Sequence, residues 1–80
     1  MNVRRLQLDV DKAVQRPSLL DLAEVMEAVS GVEAVNITVT DIDVETIGTE
    51  VTVEGDSIDE VVVGNRIVER VPRVRRSSTL

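Results

Sequence analysis

The sequence predicts an α+β domain with a single antiparallel sheet. Two observations carry the prediction. Apolar residues alternate with polar ones through "VRRLQLDV", "VEAVNITV" and "TIGTEVTVEG", which is the period of a half-buried strand. Between the first two of these, "PSLLDLAEVMEAVSG" carries its apolar residues at helical spacing. With 80 residues the chain makes one small domain, near the lower limit for a self-sufficient core.

In the first strand Leu6, Leu8 and Val10 share one side, and Arg5, Gln7 and Asp9 the other. "DKAVQR" then reads as a polar connector. Ser18 is placed to cap the helix, with Asp21 three residues on, close to a capping box. Leu19, Leu22, Met26 and Val29 form the buried stripe, and Gly31 closes the helix. The second strand puts Val35, Ile37 and Val39 on one face. Its phase then changes to Ile42 and Val44, which asks for a bulge near Thr40–Asp41 or an early end. The third strand turns Ile47, Val51 and Val53 inward, and a short link makes a hairpin with the second. A fourth strand is expected over about 58–63, with "GN" as a turn into a short last strand, "RIVERV". Pro72 ends the domain, 1–72, and residues 73–80 read as a disordered tail.

A β-α-β unit crosses over right-handed. With the third strand inserted between the first two, the sheet order is 4-1-3-2, the ferredoxin-like arrangement, with helices on one face. Arg5, Gln7, Asn36, Thr38, Glu50 and Thr52 then lie on an open polar face.

Composition narrows the chemistry. There is no Cys, His, Phe, Tyr or Trp. Thiolate metal sites, Cys nucleophiles and His acid–base chemistry are therefore excluded, and zinc and copper lose their usual ligands. A bound metal would have to be a hard cation held by oxygen, such as calcium or magnesium. Fifteen acidic residues face nine basic ones, for a net charge of −6, and Lys12 is the single lysine. That balance argues against general nucleic-acid binding, which depends on neutralising phosphates. It is also the balance of a protein working in molar salt, where self-repulsion is screened, and it suggests a halophilic archaeal source. The absence of a membrane-length apolar run and of a signal-peptide core predicts a cytoplasmic protein.

The set "VRRLQLDV", "GVEAVNITVTDID", "VTVEGD" and "SIDEVVVGNRIVE", in this order, resembles the archaeal family called domain of unknown function 211. The resemblance covers nearly all of residues 3–70. It implies a ferredoxin-like fold and a tendency to form homo-oligomers, and it carries no activity. It also marks a departure. Family members have a second helix between "EGD" and "SIDEVV", where Asp56 here runs straight into Ser57. Strands three and four are parallel in this sheet, and a crossover between them takes a dozen or more residues. Three readings follow: a lost helix with the last strands paired as a hairpin, a fourth strand exchanged with a neighbouring subunit, or a sequence short of residues that the natural molecule contains. The first two leave apolar sheet uncovered, for which another subunit is the cover.

The sharpest chemical constellation is acidic. Parallel first and second strands end at the same sheet edge, which collects Asp9, Asp11, Asp41 and Asp43, with Glu45 close by. This rim is the candidate metal site, for calcium or magnesium, although it lacks the glycine and length of an EF-hand loop. The plainer reading is a solvated acidic rim. Seven of the eight arginines divide into Arg4–Arg5, Arg66 with Arg70, and Arg73, Arg75 and Arg76. They suit phosphate, but equally cross-strand pairs such as Arg5 with Glu50 or Glu54. No aromatic residue is available to stack RNA bases. No catalytic residues or cofactor sites are expected. The expectation is a non-enzymatic homo-oligomeric module of unknown cellular role; the alternative is a regulatory domain binding a small ligand or divalent cation. Neither a nucleic acid nor a membrane is expected as a partner.

Overall fold

A computed structural model describes residues 2–71 and 73–79 of the backbone, and side chains from 3 to 71. The elements are β1 (Asn2–Ala13), α1 (Leu19–Glu27), β2 (Val32–Ile42), β3 (Thr46–Asp59), α2 (Glu60–Val68) and β4 (Arg73–Thr79). Every pairing is antiparallel, and the sheet order is β2-β3-β1-β4.

The first half follows from its residues as expected. Leu6, Leu8 and Val10 of β1 are buried beside Val51 and Val53 of β3. At roughly 1.5–3 kcal/mol per fully buried large side chain, such aliphatic pairs supply most of the stabilisation available to a core without rings. Ser18 caps α1, its hydroxyl accepting from the Asp21 N–H at 3.1 Å. Leu22 and Met26 pack inward from this helix with no exposed surface. Gly31 takes φ +91° on the way into β2. The phase change in β2 is a register shift between Val39 and Asp41, where the sequence calls for a bulge. One local expectation fails: "DKA" is not connector, because β1 runs on to Ala13, with Lys12 on the core side opposite Ile47.

The second half differs from the sequence reading. The second helix is not missing: residues 60–68, where the sequence predicts strand and turn, form α2. β3 does not stop at Gly55. Its pairing with β1 goes from Arg5↔Glu54 to Val3↔Ile58, so two extra residues of β3 are accommodated in an irregularity. Ser57 sits there at φ +57°. This shift turns Ile58 inward, completely buried, although it is out of phase with Val51 and Val53. Asp59 then caps α2, its Oδ1 accepting from the N–H groups of Val61 at 3.0 Å and Val62 at 3.3 Å.

Propensity alone disfavours this helix. Val61, Val62 and Val63 are β-branched, and the interior Gly64 costs about 1 kcal/mol relative to alanine. Tertiary packing overrides that cost. Val63 and Ile67, four apart on one face, have no exposed surface, and Val71 continues the row. The crossover from β3 to β4 therefore runs through α2 between Asp59 and Arg73, which meets the length a parallel connection requires. The sheet face is covered by α2, so the argument for a neighbour filling an empty helix position does not stand.

The tail is corrected too. Arg73–Thr79 forms β4, paired with β1 from Leu6↔Thr79 to Asp11↔Arg73, so the sheet extends past residue 72. Pro72 and Leu80 lie outside the described residues.

Candidate functional site

The rim is built where β1, β2 and β3 reach the same end of the sheet. Asp11 of β1 and Asp41 of β2 are both register partners of Gly48 on the intervening β3. The three make one row across the sheet, in which the carboxylate-bearing positions stand two strand spacings apart, about 10 Å. Gly48 keeps the middle of this row open. A Cβ there would lie 3.3 Å from the Thr40 hydroxyl, 3.5 Å from Asp11 Oδ1 and 3.5 Å from the Asp41 Cβ.

All four predicted rim residues are brought together. Asp9, Asp11, Asp41 and Asp43 line one open cleft of about 450 Å³, with Thr40, Thr46, Gly48 and Thr49. Asp43 shapes the hairpin at the cleft's edge: its Oδ1 accepts from the Val44 N–H at 2.7 Å, and its own N–H donates to the Thr46 carbonyl at 2.8 Å. Thr49 turns away, buried, donating its hydroxyl to the Val10 carbonyl at 2.8 Å. Among the described residues no three carboxylates stand close enough to hold an ion together. The rim is thus a shared cleft rather than a formed coordination sphere. Glu45 stands apart from it, lining a neighbouring cleft with Val14 and Val44.

β4 adds a relationship that strand alternation does not reveal, since "RVRRSST" follows a proline and lacks an apolar period. The backbone register places Arg75 opposite Asp9 and Arg73 opposite Asp11. Two of the four acidic positions therefore have arginine positions as their register partners on the adjacent strand.

The remaining arginines separate. Arg5 pairs in register with Glu54, one of the two carboxylates expected for it. Arg70 donates to the Arg66 carbonyl at 3.0 Å and lies 3.5 Å from a Glu69 carboxylate oxygen. Arg70 also shares an open cleft of about 690 Å³ with Arg16 and Asp21, so that cleft carries both signs of charge.

Lys12 is the polar group least expected from sequence. It is 1% exposed, and its Nζ donates to the carbonyls of Ala13 at 2.6 Å and Val14 at 3.4 Å. A signal was available, since Lys12 continues the even-numbered row Leu6, Leu8, Val10. A lysine at such a strand end can bury its stem and turn its head to backbone oxygen.

The sequence comparisons identify relatives and add no chemistry. The family DUF211, described as uncharacterized ArCR, matches residues 4–59, which ends at the cap of α2. "Uncharacterized protein MJ0319" of Methanocaldococcus jannaschii is 36% identical over 88 aligned positions, covering 86% of this chain and 90% of that protein. The alignment is longer than this 80-residue chain, so the relative has positions within the matched span that have no counterpart here.

Proposed function

From the premise that the chain belongs to the archaeal DUF211 family, we propose that it is a non-enzymatic, ferredoxin-like module whose primary physical property is association with copies of itself. The observation that carries this reading is exposed aliphatic surface in a domain with a small aliphatic core. Val14, Ile42 and Val44 stand 41%, 72% and 90% exposed around the end of the sheet that holds the β2–β3 hairpin. Val61 and Val68, seven apart on α2, are 60% and 61% exposed. Apolar surface grouped in this way is characteristic of an interaction site.

The ferredoxin-like description rests on the strand order and on both helices following the β-α-β-β-α-β sequence. A cytoplasmic, salt-rich setting belongs to the same proposal. It rests on the charge of −6, and no helix among the described residues is long and apolar enough to cross a membrane. Sedimentation equilibrium over a range of concentrations in molar potassium chloride tests the reading. It predicts a mass that is a multiple of 8.8 kDa; a single-chain mass at every concentration would end it.

A second reading has its own observation. The cleft that gathers Asp9, Asp11, Asp41 and Asp43 around Gly48 suits a regulatory cation such as calcium, whose six to eight oxygens come in flexible geometry. Carboxylates two strand spacings apart would then be bridged through water.

A further inference from the structure

The two edges of the sheet differ in chemistry. β4, at one edge, contains three arginines in "RVRRSST". β2, at the other, has β3 on one side and, among the described residues, no strand on its outer side. From Ala34 to Thr40 it reads "AVNITVT": no charge, no proline, no glycine, and four β-branched or larger aliphatic and hydroxyl side chains in succession from Ile37. An edge strand presents unpaired N–H and C=O groups, and proteins commonly guard such edges with charge, proline or a covering segment. This edge has its guards only at its ends, in Glu33 and Asp41.

We propose that β2 pairs antiparallel with β2 of a second copy, about a two-fold axis through Asn36, joining two four-stranded sheets into one of eight strands. The proposal rests on the self-association reading above and adds an interface at the sheet edge, separate from the exposed aliphatic residues named there. A two-fold axis makes the contact self-complementary. Directly opposed residues in an antiparallel pair lie on the same face, so pairing residue 36 with itself sets Val35 opposite the partner's Ile37. These two are half-buried at the edge of each core, and the pairing covers them mutually with the helices of both copies on one side.

Charge disfavours the registers on the C-terminal side of Asn36. An axis through Ile37 would put Glu33 opposite the partner's Asp41, and an axis through Thr38 would put it opposite the partner's Asp43. Like charges directly opposed are unfavourable. The axis through Asn36 instead sets Glu33 opposite Val39 and Ala34 opposite Thr38, so no carboxylate faces another along the shared stretch.

The chain has no cysteine, so a single introduced thiol reports one distance. In the proposed register the two copies of position 36 face one another at about 4.5–5.5 Å between Cα atoms, within disulfide reach. The two copies of position 38 are offset by four residues each, about 13 Å. Asn36→Cys is therefore expected to form a covalent dimer under mild oxidation, and Thr38→Cys is not. Asn36→Lys, at an exposed position, is expected to weaken association at least about tenfold at moderate salt, with an unchanged circular dichroism spectrum. An oligomer in which Asn36→Cys does not cross-link, or in which Thr38→Cys cross-links as readily, would overturn this interface and leave the self-association reading standing. A protein that stays at 8.8 kDa would overturn both.

Discussion

Gly31 and Gly55 are interlocked. A Cβ on Gly55 would meet the Gly31 carbonyl oxygen, and a Cβ on Gly31 would come within 2.7 Å of the Asp56 carbonyl oxygen. The Asp56 N–H donates to the Gly31 carbonyl at 3.0 Å. The start of β2 is thereby held against the irregularity in β3 that lets the chain run on to Asp59. Both neighbours are backbone, so neither can move aside as a side chain would.

Gly55→Ala is accordingly expected to lower stability by about 1–3 kcal/mol, the usual cost of overpacking, or more. Gly31→Ala adds the strain of a positive φ to its own close contact. Urea midpoints of the two variants against wild type check both, and midpoints equal to wild type would mean that this junction is looser than described.

Gly64 is the counter-case. It lies inside α2, and a Cβ there would meet nothing within 4 Å. Gly64→Ala should raise stability by about 0.4–1 kcal/mol through helix propensity and a less flexible unfolded chain. The same substitution would bring no such gain if residues 60–68 were strand and turn, so its sign in a thermal melt reads the local structure.

That segment shows where the sequence misleads. Three consecutive valines followed by Gly-Asn resemble a strand and its turn, and local propensity supports that assignment. The contrary signal is the Asp59 cap followed by Val63, Ile67 and Val71 at intervals of four. It was hidden because Ile58 belongs to β3 only after the change of phase at Gly55–Ser57, which no strand alternation reveals. By contrast α1 was legible in all but its end, which comes earlier than Gly31 implies: the helix stops at Glu27 with Ala28 as its C-cap, and Gly31 turns the chain into β2. Ser18, Leu22 and Met26 were legible in their expected roles because cap and stripe agreed. The gathering of the four rim aspartates was legible for the same reason: the crossover rule alone brings the ends of β1 and β2 together. The arginines opposite Asp9 and Asp11 were not, because "RVRRSST" lacks the apolar alternation of a strand and follows a proline.

Asp59→Ala should lower stability by about 0.5–2 kcal/mol, since two N–H groups of the first turn lose their acceptor, while Asp59→Asn retains most of the cap. Denaturant melts of the pair separate loss of the cap from loss of charge. An Asp59→Ala variant as stable as wild type would argue against a helix beginning at Glu60.

For Lys12 the expectation depends on volume. Lys12→Ala vacates a buried stem and should cost about 2–3 kcal/mol. Lys12→Met fills the space without a buried amine and should be near neutral or stabilising. Two variants of equal, large cost would instead assign the amine an indispensable role in holding the Ala13 and Val14 carbonyls.

The cation reading predicts that calcium, at constant ionic strength, raises the melting temperature, by about 2.7 kcal/mol of added stability at one hundred times the dissociation constant. The doubly substituted Asp11→Asn, Asp41→Asn chain should lose that increment. A midpoint that calcium does not move would leave the rim as solvated acidic surface.

Residues 60–68 form a helix lying on the sheet, where local propensity favours strand and turn. Backbone chemical shifts of uniformly ¹³C,¹⁵N-labelled protein test it most directly. Helical Cα and Cβ shifts from Glu60 to Val68, with methyl contacts from Val63 and Ile67 to the sheet core, are the predicted result. Extended shifts through Val61–Val63 and a turn at Gly64–Asn65 would contradict it and return the uncovered sheet face to the problem.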